Sequence, residues 1–455
     1  MEQPIDLTGT YRGVLRLFLP ILGITFFNAL FPFLEKLFLA QHSIVAVGAS
    51  LNAVYVSQIF QLPCIAVAMM CQVYVARWQG SRELGSIGPG VWQFMWFAIL
   101  SMGLTLPFGL MYGYLYFKDT EIQSMVLPYY TFLLGISFLY SLGAALGSFY
   151  LGLGKTRLVL WSNIAIQMLR VLLCYCFIFG LEGWIPALGI MGGPVSSLIA
   201  QGIFCILLLA VFLQKKYDAL YRTRDWFFKI KMFKECLSPC FLRGINRLLC
   251  YLCWASIAHL MSSKGGDFFV VLSVGGSVFL FFPCIADAIC EAQITVVSQI
   301  LGKQRYELLN RAYASAVLLV LSFVSIFAIP MLLFPTTMFH ILFPVVSLGD
   351  AEIRQIFLGL WVSFAFFTLM YVALAHVLSF KDMRFCLLMG AFNWINGFLL
   401  MYWMVEKVEI AADQFWLSLS LMHVSTAVLY MWRTRILQAR LYSSPQTPLP
   451  EATNS

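Results

Sequence analysis

About twelve long apolar runs, separated by short polar turns, decide what this 455-residue chain can become. They lie near 17–40, 46–76, 90–117, 122–152, 158–181, 185–214, 237–263, 268–300, 312–334, 356–380, 385–405 and 414–432. At roughly 20 residues or more, a helix of this kind crosses the ~30 Å hydrocarbon core of a bilayer. Composition names the solvent: 61% of residues are hydrophobic and 11% charged, with a mean hydropathy of +0.85. A soluble domain holds about 45–50% apolar and about 25% charged residues, because it must show water a polar surface. Gly and Pro recur inside the runs, whereas membrane β-strands are about ten residues long and alternate in polarity. The expectation is an all-α integral membrane protein with twelve transmembrane helices.

A net charge of +8 also suits a nucleic-acid-binding protein, but its distribution points to the bilayer. With twelve spans both chain ends lie on one side. The connections and ends of that side carry 21 of the 29 Lys and Arg residues, against four on the other side. Such asymmetry marks cytoplasmic loops. It predicts a cytoplasmic N-terminus (1–16), an N-lobe (17–214), a basic cytoplasmic linker (215–236), a C-lobe (237–440) and a disordered cytoplasmic tail (441–455). The stretch "YLGLGKTRLVL", Tyr150 to Leu160, reads like the end of a phosphate-binding loop. Phe149 stands where that loop needs its first glycine, and Lys155 and Thr156 fall in a basic turn after the fourth span. Neither nucleotide, nucleic acid nor cofactor is therefore expected. Residues Met1 to Arg12 lack signal-peptide features, so the first run is expected to stay as a span. The twelve cysteines scatter through apolar segments, and the one CxxC, Cys250 and Cys253, lies within the seventh span. They read as small packing residues.

The chain repeats itself. "TRLVLWSNIAIQMLRVLLCY" (156–175) aligns with "MRFCLLMGAFNWINGFLLMY" (383–402) at an offset of 227. "VYVARWQGSREL" after the second span is similar to "VVSQILGKQRYEL" after the eighth, and Pro20 and Asn28 are matched by Pro239 and Asn246. Six spans per half is an even number, so both halves enter the membrane from the same side. The repeat is then parallel, about an axis along the membrane normal.

These features resemble the multidrug and toxic compound extrusion (MATE) transporters. The resemblance rests on "LPILGITFFNALFPFLEKLFLA" (Leu19 to Ala40), "GKTR" after the fourth span, "PALGIMG" (Pro186 to Gly192) between the fifth and sixth, and "SQILGKQ" after the eighth. It implies a V-shaped pair of six-helix lobes around a central cavity, and cation export driven by H+ or Na+. Glu35 occupies the position where that family usually carries an Asp, the suspected ion acceptor of the first helix. Asn163, Gln167, Arg170 and Cys174 form one stripe on the fifth helix, where the family often has Asn followed by a second Asn or Asp. Arg247 stands near the seventh-helix acid of some members. A Na+ site without those amide oxygens and facing a guanidinium is disfavoured, so proton coupling is the expectation, with Na+ as the alternative.

Charges inside spans are costly and usually functional. Lys36, Arg170, Arg243 and Arg247 fall inside, with Glu35, Asp287 and Glu291. Arg243/Arg247 and Asp287/Glu291 are i, i+4 pairs, so each helix presents both charges on one face. Equal depth from the inner ends predicts an Arg247–Glu291 ion pair, beside Arg243–Asp287, as pins between adjacent helices. Helical rise also brings Arg170 within reach of Glu35 as its counter-ion, with a first helix interrupted at Pro32. Against these stand plainer readings: Glu35 snorkelling with Lys36 at the interface, and His376 and His423 packed in apolar helices. The expected function is a monomeric secondary exporter of organic cations in a bacterial inner membrane. The alternative is a flippase or exporter of anionic, lipid-linked or phosphorylated solutes held by cavity arginines.

Overall fold

The computed structural model describes residues 9–443, apart from 119, 121, 182–183, 185 and 345–347. The expected tail beyond residue 443 and the first eight residues lie outside the described residues. Eleven helices are long and apolar enough to cross a membrane: Tyr11–His42, Val45–Ser81, Leu84–Phe117, Gln123–Gly152, Thr156–Phe179, Gly189–Phe212, Gly266–Gly302, Tyr306–Leu333, Asp350–Ser379, Met383–Val408 and Ala412–Leu441. Cys240–Lys264 is the remaining long helix; Arg243 and Arg247 lower its hydropathy without breaking it. Counted in chain order it is the seventh of twelve, the layout expected from the apolar runs. No strand occurs among the described residues.

Several spans are jointed. The second is two helices meeting at Met70, the fourth bends at Ile136, and the eighth is interrupted at Leu280–Phe281. The first differs from expectation: it runs unbroken from Tyr11 to His42 with both Pro20 and Pro32 inside. An unanticipated short helix, Pro335–Leu342, follows the ninth span. Lys155 of the glycine-rich turn sends its ammonium to the Tyr217 hydroxyl (2.8 Å) on the first linker helix, Lys215–Tyr221. The turn thus clasps the linker, in keeping with a structural role.

The two halves meet through the first, second, seventh and eighth spans. At the linker side the second and eighth cross at Gly80 and Gly302, the glycines of the repeated phrase. A Cβ on Gly302 would overlap the Arg77 carbonyl and lie 3.0 Å from Gly80 Cα. Only glycine allows backbones this close. Above the crossing, the Gln72 amide donates to the Glu291 carbonyl (2.7 Å) and Thr295 (2.8 Å), and Gln299 donates to the Gly152 carbonyl (3.1 Å). The described hydrogen bonds between halves furthest from the linker are Thr25 to the Cys284 carbonyl and Tyr251 to the Tyr55 carbonyl, both 2.9 Å. Tyr55 still lies about 15 Å by helical rise from the far end of its helix. The far portion of the eighth span, Gly266–Phe279, packs against helices of its own half. The halves are therefore joined on the linker side and diverge towards the other.

Candidate transport cavity

In the N-half the first, fourth, fifth and sixth spans bring polar groups together on the diverging side, beyond Thr25. The Glu35 carboxylate is half-buried and accepts the Tyr129 hydroxyl at 2.6 Å. Gly193, at the start of the sixth helix, leaves room for this carboxylate: a Cβ there would overlap Glu35 Oε1. Cys174, fully buried on the fifth helix, lies beside the same carboxylate. The Glu35 carboxylate is thus turned onto its own half, with Lys36 in its field.

The fifth-helix stripe splits into two groups. Asn163 and Gln167 donate to the Asn28 carboxamide oxygen at 3.0 and 2.7 Å. Their own carbonyl oxygens, Asn163 Oδ1 and Gln167 Oε1, are buried without a hydrogen-bond partner. One turn on, Arg170 lays its guanidinium over the Phe31 ring, 3.5 Å from its centroid. Its Nη2 donates to Ser197 at 2.6 Å, and Ser197 in turn donates to the Gly193 carbonyl at 2.8 Å. The expected Arg170–Glu35 ion pair is not formed: no acid lies within 4.0 Å of Arg170 among the described residues. Phe31, one turn before Glu35 on the same helix, takes the guanidinium on its face, while Tyr129 takes the carboxylate. Tyr129 sits in the field of both charges.

In the C-half, Arg243, Arg247, Asp287 and Glu291 form a second cluster, closed by Tyr371 of the tenth span and Cys386 of the eleventh. The expected pairing is corrected. Arg247 lies in the field of Asp287 and Tyr371, and Arg243 in the field of both acids; among the described residues no ion pair within 4.0 Å joins either arginine to either acid. Glu291 Oε2 is buried without a hydrogen-bond partner. The helix ends are also offset in depth. Tyr74 of the second span stands level with Cys240, where the seventh begins. Gly80 and its partner Gly302 lie six residues, about 9 Å, further towards the linker side. Measured from Cys240, Asp287 then lies at about 13 Å, Arg247 at about 10 Å, Glu291 at about 7 Å and Arg243 at about 4 Å. Arg247 is thus midway in depth between the two acids, so equal depth does not select Glu291 as its partner.

Sequence reasoning missed Tyr129, Phe31, Ser197 and Tyr371 as contributors. Asn28 and Gly193 did carry a signal, one as half of the Pro–Asn repeat and the other beside "PALGIMG". The lone histidines are packed. His376 is buried with Nδ1 3.1 Å from the Val372 carbonyl, and His423 stacks on Phe279 with centroids 6.1 Å apart.

No protein-family profile matches the chain, and no curated protein sequence matches it. Solved structures do, over nearly the whole length. A multidrug resistance MATE family transporter of the MOP superfamily in an outward-facing conformation superposes with a TM-score of 0.83 at 14% identity, over 98% of this chain and all of that one. A MATE transporter in complex with MaL6 gives 0.83 at 15% identity with the same coverage. A MOP superfamily transporter from Pyrococcus furiosus, for which reversed polarity of the binding pocket suggests a different function, gives 0.81 at 15% identity, again over 98% and 100%. The chain therefore has the MATE fold: an all-α membrane architecture of two six-helix lobes related by a parallel repeat.

Proposed function

We propose that the protein is a secondary active transporter that exports organic, drug-like solutes by proton-coupled antiport, with Glu35 as the group that carries the proton. The observation that supports this most is the environment of Glu35. An intramembrane carboxylate with one tyrosine donor and a guanidinium two contacts away has a partner in each protonation state. When Glu35 is ionised, Tyr129 and the field of Arg170 stabilise it; when it is protonated, Arg170 keeps Phe31 and Ser197. Loading a proton then alters how the first helix is held against the fifth and sixth, which is what biasing a bistable element requires. The linker side is cytoplasmic in this reading, by its excess of Lys and Arg, so the diverging side faces out. The cargo is an organic cation entering between the halves, and the protein works as a monomer in a bacterial inner membrane.

Two observations favour variants of this reading. The orphaned Asn163 and Gln167 oxygens are hard acceptors of the kind Na+ takes, which makes Na+ the alternative coupling ion. Arg170, with no acid in ion-pair range, suits a phosphate or carboxylate of an anionic solute. Transport by purified protein in liposomes, with pH and Na+ gradients imposed separately and cationic against anionic solutes, separates them. Glu35→Gln is expected to abolish pH-driven transport while solute binding persists. Wild-type rates in Glu35→Gln under a pH gradient would refute the role given to Glu35.

A further inference from the structure

The linker between the halves is not a loose tether. Residues 223–229 are strapped along the third span: the Trp92 indole donates to the Thr223 carbonyl (2.7 Å) and the Trp96 indole to the Trp226 carbonyl (2.9 Å). The Gln93 amide donates to the Phe227 carbonyl and accepts the Lys229 N–H, both at 3.1 Å. These contacts fix the depth of the strap. Leu84–Phe117 has 34 residues, about 51 Å of helix, and the hydrocarbon core takes ~30 Å of it, leaving about 10 Å beyond each boundary. Trp92 and Trp96 lie about 12 and 18 Å from Leu84, so the strap runs from the boundary between headgroups and chains to about 8 Å inside it.

Its outward surface has the composition of that boundary. Trp226, Phe227, Phe228 and Ile230 are 53%, 64%, 45% and 55% exposed. Facing water, such a patch would be a liability. Basic side chains flank it. Lys229 is engaged by Asp225 at 2.6 Å and Arg224 by Asp218 at 3.8 Å. Arg222, Lys231 and Lys234 are exposed, with no acid within ion-pair distance among the described residues. Lys231 and Lys234 belong to the helix Ile230–Leu237, whose inner face buries Cys236 and Leu237.

We propose that residues 222–234 are an interfacial anchor that sets Trp226, Phe227, Phe228 and Ile230 among the lipid chains and recognises anionic phospholipid headgroups through Arg222, Lys231 and Lys234. Aromatic residues at the boundary and basic residues against an anionic leaflet are the chemistry such a surface selects. Because the strap is hydrogen-bonded to the third span, it ties the N-half to its leaflet.

The test uses the full chain in nanodiscs of phosphatidylcholine with one-third phosphatidylglycerol. Native mass spectrometry of gently released protein is expected to show phosphatidylglycerol enriched over its share of the disc. Each neutralisation in Arg222→Gln/Lys231→Gln/Lys234→Gln should lower that enrichment by up to about five-fold. A second measurement is independent of retained lipid. The emission lost on Trp226→Phe should be quenched by phospholipids brominated high on the chain and not by aqueous acrylamide. Retention of the two lipids in their disc proportions by wild type, or an unchanged ratio in the triple variant, overturns headgroup recognition. Quenching of Trp226 by acrylamide alone overturns the anchor.

Discussion

The crossing of Gly80 and Gly302 offers the sharpest perturbation. In Gly302→Ala the added methyl would overlap the Arg77 carbonyl, lie 2.9 Å from Ser81 N and 3.0 Å from Gly80 Cα. All three are backbone atoms and cannot rotate aside, so the helices must part. Overpacking of this kind costs about 1–3 kcal/mol, and a rigid obstacle puts the figure at the upper end. Gly276→Ala, in the other segment of the same span, is the internal control, since nothing lies within 4 Å of the position a Cβ would take. A gain in helix preference of about 0.5–1 kcal/mol is common to both substitutions and cancels between them. The difference, about 3 kcal/mol, isolates the crossing, and the net cost against wild type, about 2 kcal/mol, corresponds to roughly 30-fold in an opening equilibrium. Hydrogen–deuterium exchange over residues 77–83 and 299–305 reads that opening directly. Exchange there should rise by about that factor in Gly302→Ala and stay at or below wild type in Gly276→Ala. Equal exchange in the two variants would show that the halves are not held by this contact.

Other consequences follow from single contacts. Lys381, in the turn between the tenth and eleventh spans, sits with its ammonium 3.5 Å over the Tyr74 ring of the opposite half. Burial, helped by Arg77 nearby, lowers its pKa from 10.5 to about 8, against the opposing pull of Cys236, Cys240 and Glu83. The unfolded chain then holds this proton up to higher pH than the folded one, so stability rises as pH climbs from about 8 to 10.5. The drop corresponds to about 3 kcal/mol, and the aromatic ring offsets about 1 of that. Lys381→Met is expected to flatten the rise, and parallel melting curves of the two proteins across this window would refute it. Arg247→Ala should destabilise by about 3–5 kcal/mol by stranding Asp287. Adding Asp287→Ala should recover more expression and melting temperature than adding Glu291→Ala, and the reverse order would restore the pairing that equal depth suggested. Arg433→Ala removes the partner held 2.6 Å from Asp382; a melting temperature unchanged from wild type would show that this part-buried pair contributes nothing.

The architecture was legible because a bilayer enforces a length and a polarity that the apolar runs display directly. The repeat paired the two phrases that hold Gly80 and Gly302, but nothing in it said that their backbones cross. The interior of the cavity was not legible to the same degree. Tyr129 and Tyr371 sit in apolar stretches, where a tyrosine reads equally well as facing lipid. Phe31 is one of 41 phenylalanines, and nothing local says that it receives a guanidinium. The pairing of Arg243 and Arg247 failed for a different reason: Arg247 lies midway in depth between the two acids, and the direction its side chain takes is not written in the spacing along the chain.

The duplicated scaffold also shows where the halves have diverged. Asn28 takes the Asn163 amide in one half. In the other, its counterpart Asn246 donates to the Cys386 carbonyl and abuts Gly390, the residue aligned with Asn163. At the same offsets Glu35 corresponds to Cys253 and Arg170 to Gly397. Those two are in contact: a Cβ on Gly397 would lie 3.0 Å from Cys253 Sγ. The helix–helix contact is therefore common to both halves, while its chemistry is charged in one and small and apolar in the other. The C-half instead carries charges on the seventh and eighth helices, where two arginines and two acids face each other. A cluster of two arginines and two carboxylates can balance its charge internally, as structural pins require. The N-half leaves one carboxylate on a tyrosine hydroxyl and one guanidinium on an aromatic ring.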